Sequence, residues 1–239
     1  MRGSRGRVRH HGRVHHHRRR VAAPVIALAA LALTLAGCSK SATVPSVIVV
    51  GDSVTSVEQA QLQGALDPPY SPTFLVVPSG GRIGEMSALL SDSIRSNGNP
   101  GVVITNLGTT DALQAGTSST TISPLSPLVS AAAGVACVVL TTVNVRTDHR
   151  LDHLPDATVA ARINHQIKLL ALSDPTRYKV VDWNEFLATL PAASVPTYLQ
   201  ANGYLETQAG AAWLARADLA GVRSCGSTHQ PTVIGPNRV

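Results

Sequence analysis

Ser53 lies in a setting that is typical of a nucleophile. It belongs to VVGDSVTS (residues 49–56), in which an apolar run enters a small, sharp turn and the serine follows directly. A serine hydroxyl becomes a useful nucleophile only when a base takes its proton and nearby donors stabilise the oxyanion. The rest of the chain must therefore supply a base and those donors.

Five short apolar runs predict the strands that would position this serine. They are rich in β-branched residues, carry almost no charge and are bounded by Gly or Pro, which favours a parallel sheet covered on both faces. Helical spacing of apolar residues over 157–172 and 208–222 predicts covering helices, and hence a three-layer α/β/α domain with a five-stranded parallel sheet. Ligands of such domains bind outside the carboxyl ends of the strands, where Ser53 lies. The five predicted strands are SVIVV (46–50), TFLVV (73–77), GVVITNL (101–107), VACVVLTTV (135–143) and YKVVDW (178–183).

Gly51-Asp52-Ser53 resembles block I of the SGNH, or GDSL-type, hydrolases, and the order and spacing of further blocks extend the resemblance from about residue 47 to 216. The family cleaves esters, often acetyl groups on carbohydrates, with a flavodoxin-like α/β/α domain. The resemblance implies that Ser53 is the nucleophile and that its own backbone N–H is one oxyanion donor.

Block II of the family is a glycine, often followed by arginine, in the loop after the second strand. SGGRIGE supplies Gly81-Arg82 at that place. The resemblance implies that the Gly81 N–H is a second oxyanion donor, a role that suits a residue without a side chain. An ordinary turn at Gly80-Gly81 would use the same residues.

Block III of the family reads Gly-x-Asn-Asp after the third strand. This chain has Gly108-Thr109-Thr110-Asp111, so that Thr110 replaces the asparagine whose amide donates to the oxyanion. A threonine hydroxyl can also donate a hydrogen bond, but from a shorter side chain.

Block V of the family, Asp-Gly-x-His-x-Thr followed by a glycine, carries the base and the acid that orients it. In ANGYLETQAGAAWLA, alignment of Gly203, Thr207 and Gly210 with that pattern puts Asn202 at the acid and Leu205 at the base. Leucine cannot accept a proton, so the site lacks the family's base.

Three other residues are possible substitutes for the base. His149 and His153 lie in RTDHRLDH (146–153), after the fourth predicted strand, and either could reach Ser53, or the group could hold a metal ion. An alternative is that this polar loop is simply solvated. Glu206 would be a poor base if its side chain turned toward the pocket. His165 and Asn164 are expected on a helix surface.

The resemblance and the missing base together predict a degenerate SGNH-like domain that binds an acylated or carbohydrate ester ligand with weak or no esterase activity. An active, divergent esterase or acyl-transfer enzyme that uses Ser53 is the alternative, and an envelope scaffold protein is a third possibility. We expect no cofactor.

The N-terminal segment has the pattern of an export signal. Residues 1–20 are basic and contain no acid, an apolar run of about h-region length follows, and Leu35-Ala36-Gly37-Cys38 resembles the lipobox of bacterial lipoproteins. The sequence thus predicts a signal peptide over 1–37, lipidation at Cys38, a tether over 38–45, a domain over 46–225 and a loose tail over 226–239. An uncleaved membrane anchor is the alternative, and both place the domain outside the cell membrane.

The basic residues of the chain are concentrated in this segment. Residues 1–20 hold eight of the twenty Lys and Arg residues, so the remainder has twelve basic against fourteen acidic side chains. The chain's overall positive charge therefore gives no reason to expect a nucleic-acid partner. Contact with the membrane is expected only through the lipid anchor.

Cys137 and Cys225 are the other cysteines. An even pair in an exported chain favours a disulfide, and two buried thiols are the alternative.

Overall fold

Parallel β-strands form the centre of the domain. A computed structural model describes residues 45–114, 125–145, 157–226 and 233–234, all within one compact unit that spans residues 44–239. The strands lie in the order β2-β1-β3-β4-β5-β6, and every neighbouring pair is parallel. Their bounds are β1 Ser46–Gly51, β2 Ser71–Val76, β3 Val102–Asn106, β4 Cys137–Thr141, β5 Tyr178–Val181 and β6 Val233–Ile234.

The five predicted strands are confirmed, and the structure adds a sixth. β6 has two residues and pairs with β5 at the edge of the sheet, inside the segment that we predicted to be loose. Periodicity could not reveal a strand of this length, because two residues give no repeat to detect.

Helices connect the strands. The predicted helices over 157–172 and 208–222 are confirmed, each one residue longer at its carboxyl end. The α-helices are α1 Ser53–Leu66, α2 Ile83–Asn97, α3 Thr109–Leu113, α4 Ser126–Ala131, α5 Ala157–Ser173, α6 Trp183–Thr189, α7 Val195–Tyr198 and α8 Gln208–Arg223. None of the helices in the described ranges is both long and apolar enough to cross a membrane.

The sheet separates two apolar layers, because successive side chains of a strand point to opposite faces. Ile48 and Val50 of β1 pack with α2, α4 and α5 on one face. Val47 and Val49 pack with α1, α6 and α8 on the other. The fold is therefore the three-layer α/β/α arrangement that the sequence predicted.

The disulfide between Cys137 and Cys225 is also confirmed. The two Cα atoms are 5.8 Å apart, and the bond joins the start of β4 to the residues that follow α8. It therefore fastens α8 to the sheet.

Candidate functional site

Ser53 is the first residue of α1, at the carboxyl end of β1. Asp52 caps the helix, and its Oδ1 accepts a hydrogen bond from the Val54 N–H at 3.0 Å. A Cβ atom at Gly51 would come within 1.9 Å of Thr55 Oγ1, so the turn can be this sharp only with glycine there. Ser53 is half-buried, and its hydroxyl has no hydrogen-bond partner among the described residues.

Asp52 also joins Ser53 to the third strand. Its Oδ2 accepts from the Thr110 N–H at 3.4 Å, and its own N–H donates to the Asn106 carbonyl oxygen at the same distance. Asp52 is fully buried, and this burial raises the pKa of its carboxyl to about 7. Its side chain thus positions the serine turn rather than facing the pocket.

The glycine loop after β2 contacts the segment that follows β3 at Thr110. Gly80 has a φ of +91°, and a Cβ atom on it would lie 2.6 Å from Thr110 Oγ1. The structure therefore brings together three segments that the sequence resemblance placed in one site: Ser53, the Gly80-Gly81 loop and Thr110. Their roles in an oxyanion hole remain predictions.

Gly81 has a packing reason to be glycine. A Cβ atom there would lie 2.4 Å from Met86 Sδ and 3.5 Å from Val77 Cβ, beneath the loop. A large side chain at Gly81 would therefore overpack the core beneath this loop.

Asp111 holds the start of α2 against the start of α3. Its Oδ2 accepts from the Ile83 N–H at 2.9 Å, while Arg82 Nε donates to Gln114 Oε1 at 2.9 Å. Burial raises the pKa of the Asp111 carboxyl, and the Ile83 N–H and the Arg82 charge offset part of that rise. The acid of Gly-Thr-Thr-Asp is thus a structural link between two segments of the site.

The loop that the sequence resemblance aligns with the family's base is held by its own hydrogen bonds. Asn202 Oδ1 accepts from the N–H groups of Tyr204 and Leu205 at 3.2 and 3.0 Å. Asn144 Nδ2 donates to the Gly203 carbonyl oxygen at 2.8 Å, which ties the loop to the residues after β4. Leu205 is partly buried, at the position that the sequence resemblance aligns with the family's histidine.

Glu206 does not take over as the base. Its side chain is fully buried, and neither carboxyl oxygen has a hydrogen-bond partner among the described residues. Burial, followed by the charge of Asp52, raises the pKa of this carboxyl well above its ordinary value. The side chain has therefore turned into the interior, next to Asp52, and does not reach the Ser53 hydroxyl.

The other possible substitutes fall into two groups. His149 and His153 lie outside the described residues, as does the predicted lipidation site Cys38. His165 is exposed on α5 as expected, but the surface prediction for Asn164 is wrong. Its side chain is buried and bonds both backbone groups of Val143, donating to the carbonyl oxygen and accepting from the N–H. The described part of the chain contains no group of three or more metal-ligating side chains.

Sequence reasoning missed two buried acids beside the site. Glu58 on α1 and Asp218 on α8 are fully buried. The signal was present, because Glu58 lies four residues after Val54 and four before Leu62, inside the apolar stripe of its helix. Asp218 lies in the same way between Leu214 and Val222. An acid in the middle of such a stripe indicates a buried carboxyl.

Solved structures similar to this chain are esterases and an acetyltransferase. One is the C-terminal catalytic domain of peptidoglycan O-acetyltransferase A of Streptococcus pneumoniae, with a TM-score of 0.56, 14% identity, and coverage of 75% of this chain and 93% of that chain. Another is a GDSL-like lipase from Bacteroides thetaiotaomicron, with a TM-score of 0.55, 14% identity, and coverage of 82% and 95%. A third is an acetylxylan esterase from Geobacillus stearothermophilus, with a TM-score of 0.55, 18% identity, and coverage of 79% and 96%.

No protein-family model and no curated protein sequence matches the chain. The likeness is therefore one of architecture at low identity, and it spans nearly the whole length of each of these domains. Together with the serine turn at the end of β1, it shows that this chain has the fold of the SGNH, or GDSL-type, hydrolases.

Proposed function

We propose that this protein binds an acetylated carbohydrate of the cell envelope in the pocket beside Ser53, and that it has little or no esterase activity. The leucine at residue 205 is the observation that best supports this proposal. The serine turn, the glycine loop and Thr110 are assembled, but a leucine stands where the family's base belongs and Glu206 is turned into the core.

The absence of a base beside Ser53 among the described residues favours binding over turnover. A serine hydroxyl needs a positioned base to become nucleophilic, and loss of triad members costs several powers of ten in rate. A pocket that keeps its donors can still bind an ester carbonyl, because binding requires no proton transfer. The assembled side of the site thus supports binding without catalysis.

The ligand class follows from the similar structures and from the predicted export. The neighbours named above include a peptidoglycan O-acetyltransferase and an acetylxylan esterase, both of which act on acetyl groups of polysaccharides according to their names. The lipobox at Cys38 would hold the domain at the outer face of the cell membrane, close to wall polysaccharides. In that arrangement, Cys38→Ser should release the protein from the membrane fraction.

Turnover of p-nitrophenyl acetate by the purified protein, run beside Ser53→Ala, tests the proposal. We expect equal background rates for both proteins, and no labelling of Ser53 by a fluorophosphonate. Acetylated xylooligosaccharides and O-acetylated muropeptides should raise the melting temperature of both proteins equally. Turnover that Ser53→Ala abolishes would overturn the absence of catalysis, and no stabilisation by either ligand would overturn the binding role.

An active enzyme is the second candidate, and the unpaired Ser53 hydroxyl among the described residues favours it. In this case His149 or His153 would supply the base from outside the described ranges. Ser53-dependent turnover that is lost in His149→Ala or in His153→Ala would identify which histidine acts. His165→Ala is the matched control, because this histidine is exposed on α5.

A further inference from the structure

Four carboxyl groups lie buried where α1 packs against α8. Asp52 precedes α1, Glu58 lies on it, Glu206 precedes α8 and Asp218 lies on that helix. All four side chains have 0% of their surface exposed. Buried acids are unusual unless a cation or several donors accompany them, so this carboxyl cluster needs an explanation.

The hydrogen bonds of the carboxyl cluster indicate a shared proton. Asn106 Nδ2 donates to Glu58 Oε2 at 3.5 Å, and Thr141 Oγ1 donates to Asp218 Oδ1 at 3.3 Å. Their other oxygens, Glu58 Oε1 and Asp218 Oδ2, have no donor among the described residues. The two carboxyls act on each other, since Asp218 raises the pKa of Glu58 while Glu58 offsets part of the rise at Asp218, and such a pair is most stable when one of the two acids carries a proton.

Glu206 is the least satisfied member. Neither of its oxygens has a partner among the described residues, whereas Asp52 accepts from two backbone N–H groups. The charge of Asp52 raises the pKa of Glu206, and the charge of Glu206 in turn raises that of Glu58. The three acids therefore repel one another when ionised.

The charged groups around the carboxyl cluster give it no cation. Asp111 on α3 faces Asp52, with Arg82 beyond it, and its negative charge adds to the repulsion. In the described part of the sheet, the side chains that bond to the cluster are the uncharged Asn106 of β3 and Thr141 of β4. In the described ranges, no Lys, Arg or His side chain pairs with any of the four acids.

As a consequence, the folded state is more stable at acidic pH than at alkaline pH. Burial raises the pKa of Asp52 and Asp218 to about 7, and raises those of Glu58 and Glu206 well above their ordinary values. The unfolded chain titrates these groups near about pH 4, so the folded state holds more protons above that pH. The stabilisation is therefore complete below the unfolded value and is lost as the pH rises through about 7.

We propose that the carboxyl cluster is a pH-sensitive clamp, which holds α1 against α8 while its acids share protons and loosens this packing when they ionise. The clamp is placed to act on the pocket, because Ser53 is the first residue of α1 and Leu205 immediately precedes Glu206. It goes beyond the proposed binding function, and its test measures stability rather than binding or turnover.

The test is the melting temperature of the purified full-length chain between about pH 5 and pH 8, a range that brackets the raised pKa of Asp52 and Asp218. Circular dichroism follows unfolding. Intrinsic fluorescence reports on α8 through Trp213, which lies beside Trp183, the only other tryptophan of the chain. We expect the melting temperature to fall by several degrees from the acid to the alkaline end. A flat or rising profile would overturn the clamp.

Glu206→Gln distinguishes the clamp from a general effect of pH on the fold. The amide cannot ionise, so it removes the carboxyl that opposes the charges of Asp52 and Glu58, and this variant should melt above the wild type at alkaline pH with a shallower slope. Asp92→Asn is the matched control, since that carboxyl is exposed on α2, and its slope should equal that of the wild type. An unchanged slope in Glu206→Gln would contradict the proposal.

Asp218→Asn is the second variant, in case Glu206→Gln fails to fold. Its amide oxygen can still accept from Thr141 Oγ1, and its NH2 group can donate to Glu58 in place of the shared proton. We expect a shallower pH slope here as well. A slope as steep as that of the wild type would contradict a shared proton between Glu58 and Asp218.

Discussion

The segment around Ser53 and the loop of residues 202–206 differ in the side chains that they carry. On the side of Ser53, glycines stand where a side chain would collide, Asp52 joins two strands and Asp111 joins two helices. On the side of residues 202–206, hydrogen bonds likewise hold the loop, but the residue aligned with the family's histidine is Leu205 and the Glu206 carboxyl is buried. The backbone is thus held by hydrogen bonds on both sides, whereas the predicted nucleophile and its oxyanion donors lie on only one.

This difference shows that hydrogen bonds can hold the loop of residues 202–206 without an acid at residue 202 or a histidine at residue 205. Asn202, which the sequence resemblance aligns with the family's orienting acid, accepts hydrogen bonds from the N–H groups of Tyr204 and Leu205. A carboxylate could accept the same two hydrogen bonds. The loop therefore needs an acceptor at residue 202 but no histidine at residue 205.

The largest expected effect comes from restoring the missing base. Asn202→Asp combined with Leu205→His should give Ser53-dependent hydrolysis of p-nitrophenyl acetate, on the order of a hundredfold above background, because a positioned general base contributes at least that much. The Asp can keep the hydrogen bonds of Asn202 and orient the new imidazole. Initial rates at about pH 8, where an imidazole is neutral, measure the gain.

Adding Ser53→Ala to this double variant is the control, and its rate should return to background. A gain that survives Ser53→Ala would mean that the new histidine acts on the ester directly. No gain at all in a folded variant would show that the side of Ser53 has also lost its function, and the contrast between the two sides would fail.

The next largest effect concerns the serine turn. Gly51→Ala should lower the free energy of unfolding by about 1–3 kcal/mol, because the added Cβ collides with Thr55 and overpacks a buried site. Gly64→Ala, at a helical position of α1 with no atom within 4 Å, should instead raise stability by about 0.5–1 kcal/mol. Urea unfolding of both variants measures the difference, and equal effects would show that the turn is not tightly packed.

Sequence reasoning was accurate where local patterns determine structure. Apolar runs gave the five strands within two residues at either end, because buried strands carry a continuous apolar signal. The Cys137–Cys225 bond also followed from composition and the expected export. Ser53 was placed correctly at the end of β1 for the same reason.

Sequence reasoning failed where contacts between distant segments determine which side chains are buried. Glu206 was considered for a role in the pocket, yet it lies in the core beside Asp52, which no local pattern indicates. Asn164 looked like a surface residue of a helix, but it pairs with the Val143 backbone from a distant element. The contact between Glu58 and Asp218 likewise depends on how α1 packs against α8.

The smallest expected effects compare the hydrogen bonds that hold each side. Asp111→Ala leaves the buried Ile83 N–H without an acceptor, and Asn202→Ala does the same to the N–H groups of Tyr204 and Leu205. Each change should lower the free energy of unfolding by about 1 kcal/mol, the usual cost of losing a capping acceptor. Chemical unfolding measures both values under the same conditions.

Asp111→Asn separates the acceptor from the charge. Its amide oxygen can still accept from the Ile83 N–H, and it removes a carboxylate whose pKa burial has raised, so stability should be nearly that of the wild type at neutral pH. A loss as large as that of Asp111→Ala would mean that the attraction between Asp111 and Arg82, and not the hydrogen bond, holds the side of Ser53 together. If Asn202→Ala lowered the free energy of unfolding much more than Asp111→Ala, the loop of residues 202–206 would depend more on its hydrogen bonds than the side of Ser53 does.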